Sequence, residues 1–242
     1  MPRTPFLFAV VLSVACCVAA EAADKKVRLF ILSGQSNMAG LDPDVSFTPA
    51  VTKEFAGDKV IVVKHAIGGQ PIRRWYKKWK LPEGATEVNN ALKNRSGDIY
   101  DTLMVDVKSM LGDHRPDSVV FVWMQGERDA KAGWQAAYYE ALRGTVQQIR
   151  DELKCDDVAV VIGRISDHLN GQAGWDAVRA AQEKVAADEP RGAWVDTDDL
   201  NPDAAGTGLH YSKAGYSELG KRFAAKAIEL IRQHESKSQP SP

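Results

Sequence analysis

The sequence predicts an α/β protein: a five-stranded parallel sheet with helices on both faces. Three observations carry this. Five short segments are apolar or β-branched through most of their length: Val27–Ser33, Lys59–Lys64, Ser118–Trp123, Asp157–Ile162 and Ala193–Asp196. That is the pattern of strands buried on both faces. Helical stripes separate the later segments. One is Trp134, Tyr138, Ala141, Leu142, Ile149 and Leu153; another is Tyr216, Leu219, Phe223, Ala227 and Leu230, behind Ser212 as an N-cap. Finally, the chemically unusual residues gather where the strands end, which is where open parallel sheets bind their ligands.

In chain order, the first strand runs directly into Gly34-Gln35-Ser36-Asn37-Met38-Ala39-Gly40. A serine at a strand-to-helix turn is exposed, and free backbone N–H groups surround it. Met38 fills the place of the second glycine in a Gly-x-Ser-x-Gly elbow, so this is a different turn. The second strand leads to Ala66-Ile67-Gly68-Gly69-Gln70 and the third to Trp123-Met124-Gln125-Gly126-Glu127-Arg128-Asp129. The fifth runs out through Asp196-Thr197-Asp198-Asp199 toward Gly208-Leu209-His210-Tyr211-Ser212. One edge of the sheet therefore collects glycines, amides, carboxylates and a histidine.

Composition sets the limits. The 242 residues carry a formal net charge of −1, which argues against nucleic acid as a partner. Arg3, the apolar run Phe6 to Val18 and Ala20-Glu21-Ala22 read as a signal peptide over residues 1–22, which implies export to the periplasm or the medium. The run is short for a membrane span, and no span is expected in the mature chain. Cleavage would remove Cys16 and Cys17 and leave only Cys155, so no internal disulfide can form. Residues 23–234 are enough for one core, with no linker or repeat to divide them. The polar end, 235–242, reads as a disordered tail.

A serine hydroxyl needs a base to act as a nucleophile at neutral pH. His65, His114, His168 and His234 have no accompanying partner motif and read as packed or solvated imidazoles. His210 differs, because it opens the last helix from a glycine-containing loop. The N–H groups of Ser36 and of Gly68 or Gly69 could steady an oxyanion, with the Gln125 amide as a third donor. The basic aromatic run Arg73-Arg74-Trp75-Tyr76-Lys77-Lys78-Trp79-Lys80 reads as a packed Trp75 with its lysines on a solvated face; stacking on a sugar is the other reading. No metal-ligand spacing, phosphate loop or dinucleotide fingerprint occurs, so no cofactor is expected.

Four ordered blocks resemble those of the SGNH hydrolase superfamily. They are Gly-Gln-Ser-Asn-Met at 34–38, Gly-Gly-x-x-Ile at 68–72 with Trp75, Trp-x-Gln-Gly-Glu at 123–127, and Gly-Leu-His-Tyr-Ser at 208–212. More narrowly they are similar to the sialate O-acetylesterase-like domain, which includes carbohydrate esterase family 6. The resemblance implies a flavodoxin-like three-layer α/β/α sandwich and metal-free removal of acetyl groups from carbohydrates. It makes Ser36 the nucleophile and His210 the base, with Ser36, a glycine of the second block and Gln125 in the oxyanion hole.

One position departs from the family pattern. Thr207 stands where an aspartate, three residues before the histidine, is usual. Glu127 could orient His210 instead; so could Asp203 or one of Asp196, Asp198 and Asp199, or a backbone carbonyl in a working dyad. Arg179 could pair with Glu127 and compete for it. Two functions follow: an acetylesterase, or a hydrolytically silent sugar-binding module on the same fold. A lipase or thioesterase would want a long apolar stretch near the loops, which the sequence lacks.

Overall fold

Strand β1 (Val27–Gly34) lies inside the sheet, second from one edge. It pairs in parallel with β2 (Lys59–Ala66) on one side and β3 (Ser118–Met124) on the other. Then β3 pairs with β4 (Val158–Gly163), and β4 with β5 (Gly192–Val195). The order is β2-β1-β3-β4-β5, all parallel. This is the flavodoxin-like arrangement, in which the winding reverses between β1 and β3. All five expected strands are present, with ends shifted by one or two residues. The computed structural model describes residues 25–87, 95–200 and 208–238. The expected leader at 1–22 lies outside the described residues, as do Asp203, Thr207 and 239–242.

Successive strand residues face opposite sides of a sheet, so β1 to β4 each feed two cores. On one side Leu29, Ile31, Phe121 and Ile162 pack beneath α3 (Asp98–Leu111), α5 (Gln135–Leu153) and α6 (Ala173–Asp188). On the other, Phe30, Leu32, Val120 and Val122 pack beneath α2 (Pro43–Glu54) and α7 (Lys213–Ser238). Two short helices, α1 (Ser36–Gly40) and α4 (Glu127–Ala132), follow β1 and β3 directly. No helix among the described residues is long and apolar enough to cross a membrane.

The expectation of a disordered tail from 235 is corrected for its first residues, because α7 continues to Ser238. Ion pairs, not an apolar stripe, hold this end. Glu235 Oε1 accepts from Lys26 Nζ at 2.8 Å and from Arg28 Nη2 at 2.7 Å. Arg28 also donates to Asp58 at 2.7 Å and stacks on Phe55.

Candidate active site

The site begins with a backbone constraint. Gly34 ends β1 with φ +149°, and a Cβ placed there would lie 2.0 Å from the Met124 carbonyl oxygen. Only glycine lets β1 and β3 come this close. Gln35 N–H then donates to Met124 O at 2.9 Å, and Ser36 takes the first position of α1. Its N–H has no acceptor within the helix.

The other end of the chain arrives at the start of α7. Ser212 caps that helix, its Oγ accepting the Gly215 N–H at 3.1 Å. This anchors the preceding residues, and His210 Nε2 sits 3.0 Å from Ser36 Oγ. The two residues are separated by 174 positions in sequence. A base at that distance is within reach of the proton it would take.

The loop after β2 forms the facing wall. Ile67 N–H donates to Gly34 O at 3.1 Å, which draws the loop against the end of β1. A Cβ on Gly68 would be 3.7 Å from Ser36 Cβ, and Gly69 has φ +70°. Neither glycine N–H donates to a protein carbonyl among the described residues. Ser36, Gly68, Gly69 and His210 share a cleft of about 410 Å³. Glu127, Arg128 and Lys131, all from α4, line its remaining side. A cleft of about 650 Å³ lies at the opposite edge, but Arg28, Arg191 and Arg232 there are already paired with carboxylates.

Not every expected site residue is placed as the sequence suggests. Gln125 is fully buried and does not line the cleft. Its Nε2 faces inward, toward Asp129 Oδ2 at 2.6 Å, Gln70 O at 3.0 Å and Gln35 Oε1 at 3.2 Å. Those acceptors hold the amide, so the expected third oxyanion donor does not face Ser36.

Glu127 is on the wall of the cleft, yet it makes no hydrogen bond to His210. Its Oε1 accepts from Asn37 Nδ2 at 2.9 Å, and the same nitrogen reaches Leu209 O at 3.1 Å. Tyr216 OH donates to Asn37 Oδ1 at 3.2 Å. Glu127 thus touches the His210 segment through Asn37, whose role the sequence did not separate from the rest of its block. Burial pushes the Glu127 carboxyl above the ordinary range, against the hydrogen bonds from the backbone and Asn37.

The aspartates near the end of β5 are committed elsewhere. Arg179 forms a bidentate pair with Asp198 at 2.8 and 2.7 Å, so it does not pair with Glu127. Arg164 holds Asp196, and Arg222 holds Asp199. Among the described residues no carboxylate is bonded to the ring of His210. In the basic aromatic run, Trp75 is buried and donates to Ser33 Oγ at 2.9 Å, which fits the packed reading. The lysines Lys77, Lys78 and Lys80 are exposed, whereas Arg73 and Arg74 are buried and pair with Glu87 and Asp98.

A serine and a histidine in hydrogen-bond contact, at the switch point of a parallel sheet, form the layout of a serine-type esterase. The family can be stated more narrowly. The chain belongs to the family described as carbohydrate esterase, sialic acid-specific acetylesterase, whose model matches residues 40–229. The match opens just after Ser36. No curated protein matches the chain.

Solved structures share the fold. One from Arabidopsis thaliana is 17% identical with a TM-score of 0.65, covering 84% of this chain and 98% of that one. A carbohydrate acetylesterase from Xanthomonas citri is 16% identical with a TM-score of 0.60, covering 85% of this chain but 56% of its own. The structure of NanS is 14% identical with a TM-score of 0.60, over 86% and 98% of the two chains.

Proposed function

We propose that the protein is an exported serine esterase that removes O-acetyl groups from carbohydrates through an acetyl-enzyme. The observation that carries the reading is the 3.0 Å contact between His210 Nε2 and Ser36 Oγ, at the rim of a cleft with unbonded glycine N–H groups. Ser36 Oγ attacks the acetyl carbonyl carbon while His210 Nε2 takes the hydroxyl proton. The carbonyl oxygen becomes an oxyanion facing the N–H groups of Ser36 and of Gly68 or Gly69. Collapse breaks the bond to the sugar oxygen, which leaves with the proton from His210. Water, deprotonated by the same imidazole, then attacks the acetyl group; the bond to Ser36 Oγ breaks, His210 returns the proton to that oxygen, and acetate departs. Glu127 acts as a positioning residue, through Asn37 and the Leu209 carbonyl.

The cleft favours a carboxylate-bearing sugar among acetylated carbohydrates. Arg128 and Lys131 are one turn apart on α4, and neither forms an ion pair with a described carboxylate. Arg128 Nε is buried without a partner. The sialic acid specificity in the family's description agrees with such a wall. Export rests on the leader pattern of Arg3, the apolar run and Ala20-Glu21-Ala22.

The alternative, a silent sugar-binding module, would not need the serine–histidine contact. p-Nitrophenyl acetate turnover decides between them. Wild type should hydrolyse it. Ser36→Ala and His210→Ala should each lose nearly all activity, with the double variant no worse than the singles. An inactive wild type that still binds sugar would establish the module.

A further inference from the structure

The structure places a second buried carboxyl, Asp129, directly behind the glycine loop, and the reaction proposed above gives it no role. Asp129 is fully buried on α4. Its Oδ2 accepts the backbone N–H of Ile72 at 2.9 Å and the side-chain N–H of Gln125 at 2.6 Å. Gln125 Nε2 in turn lies 3.0 Å from the carbonyl of Gln70. One carboxylate oxygen therefore holds the loop on both sides of Pro71, at residue 72 directly and at residue 70 through an amide.

The near end of the loop is fixed by Ile67 N–H on Gly34 O at 3.1 Å. Between the two anchors lie Gly68 and Gly69. Glycines gain the most freedom when released, so an unanchored loop would lose the aim of its N–H groups. Donors to a developing oxyanion act only when held within about 0.5 Å of their place.

Packing alone does not account for this residue. Burial pushes the Asp129 carboxyl up to about 7, even with Gln125 and Ile72 hydrogen-bonded to it. Its Oδ1 is buried with no partner. An apolar side chain would fill the space without that desolvation cost.

We propose that Asp129 is a positioning residue for the oxyanion hole: it clamps the loop 67–72 so that Gly68 and Gly69 present their N–H groups to the acyl oxygen beside Ser36. The inference rests on the esterase reading above. It also answers where Gln125 fits, since Gln125 serves the oxyanion hole as part of the clamp and not as a donor.

The test uses the full-length protein and three readouts. Asp129→Ala should lower kcat for p-nitrophenyl acetate on the order of 10- to 10²-fold, the scale of a weakened oxyanion donor, with KM within about twofold. Inhibition by phenylboronic acid, whose serine adduct is tetrahedral, should weaken by a similar factor. Asp129→Asn keeps a carbonyl oxygen for both N–H groups and should recover most of the loss. Near wild-type kcat in folded Asp129→Ala would overturn the proposal. So would lost turnover with unchanged boronate inhibition, or a loss that merely follows the folded fraction.

Amide hydrogen exchange at Ile67 and Ile72, the hydrogen-bonded amides at the two ends of the loop, reads the clamp without any turnover. It should speed up in Asp129→Ala, and unchanged exchange overturns the clamp whatever the activity. Wild-type inactivity, or an active Ser36→Ala, would instead sink the esterase reading.

Discussion

Glu127→Gln separates two accounts of how His210 is held. If Glu127 were the acid of a triad, bonded to the imidazole, its loss would cost roughly 10²- to 10⁴-fold in kcat. The structure gives it an indirect part: Oε1 takes the Asn37 N–H at 2.9 Å, and Asn37 reaches Leu209 O at 3.1 Å. A glutamine can still accept from Asn37, so the change weakens one charge-assisted bond by about 1 kcal/mol. Only part of that reaches His210 through the Leu209 backbone. At about 1.4 kcal/mol per tenfold, kcat should fall roughly three- to fivefold, with KM unchanged.

Stability should move the other way. Burial raises the Glu127 carboxyl, so at pH values between the unfolded and folded pKa the folded state holds a proton that the unfolded chain has released. That contribution is full below the ordinary carboxylate range and is lost as pH rises through the folded value. Glutamine has no charge to bury, so the variant should melt no lower than wild type at pH 8. Steady-state kinetics with p-nitrophenyl acetate and a thermal melt are sufficient. A kcat loss beyond about 10²-fold, in protein that melts normally, would refute the indirect role.

Other expectations follow from single contacts. Arg128→Ala should raise KM for a carboxylate-bearing acetyl sugar about tenfold, as expected for a lost charge-assisted hydrogen bond, and do less to its methyl ester; equal effects would remove Arg128 from recognition. Gly34→Ala should prevent β1 and β3 from closing, because the added Cβ meets Met124 O at 2.0 Å, and soluble expression with a normal melt would contradict this. Glu235 is partly buried, which alone would raise its pKa, but hydrogen bonds from Lys26 and Arg28 outweigh that and hold it at about 2. The stability it contributes is present above the ordinary carboxylate range and lost as pH falls toward 2. Glu235→Gln should therefore cost up to about 2–3 kcal/mol at pH 7 and almost nothing near pH 2, read by urea melts at both pH values.

How far the sequence reaches depends on the kind of pattern. β1, β3 and β4 are buried throughout and leave uninterrupted apolar runs; the edge strands β2 and β5 are only partly buried but keep apolar or β-branched residues, so all five were legible to within two residues. The stripes of α5 and α7 were equally plain. α2 and α3 went unassigned, although Asp42 before Pro43 was a usable start signal and its carboxylate does accept the Asp44 N–H. At the site, Ser36, Gly68, Gly69 and His210 follow from strand ends and glycine pairs, and the structure brings them together. Gln125 did not follow, because a motif fixes which residue is present but not which way its amide points. Asn37 and Asp129 were invisible as separate actors for the same reason: their partners at Leu209 and Ile72 are distant in sequence. Arg128 and Lys131 carried a faint signal, two cations three apart at the start of a helix.

The junction of Lys26 and Arg28 with Glu235 brings the first strand and the last helix together at the edge of the sheet opposite Ser36. A peptide linker from Ser238 back to Lys25 would close the described domain into a ring without passing near the cleft. New ends could then be cut at an exposed turn such as Gly57, where an added side chain would meet nothing within 4 Å. The same geometry suits attachment to a support: tethered at Lys26 or Glu235, the protein would stand with its cleft facing away from the surface.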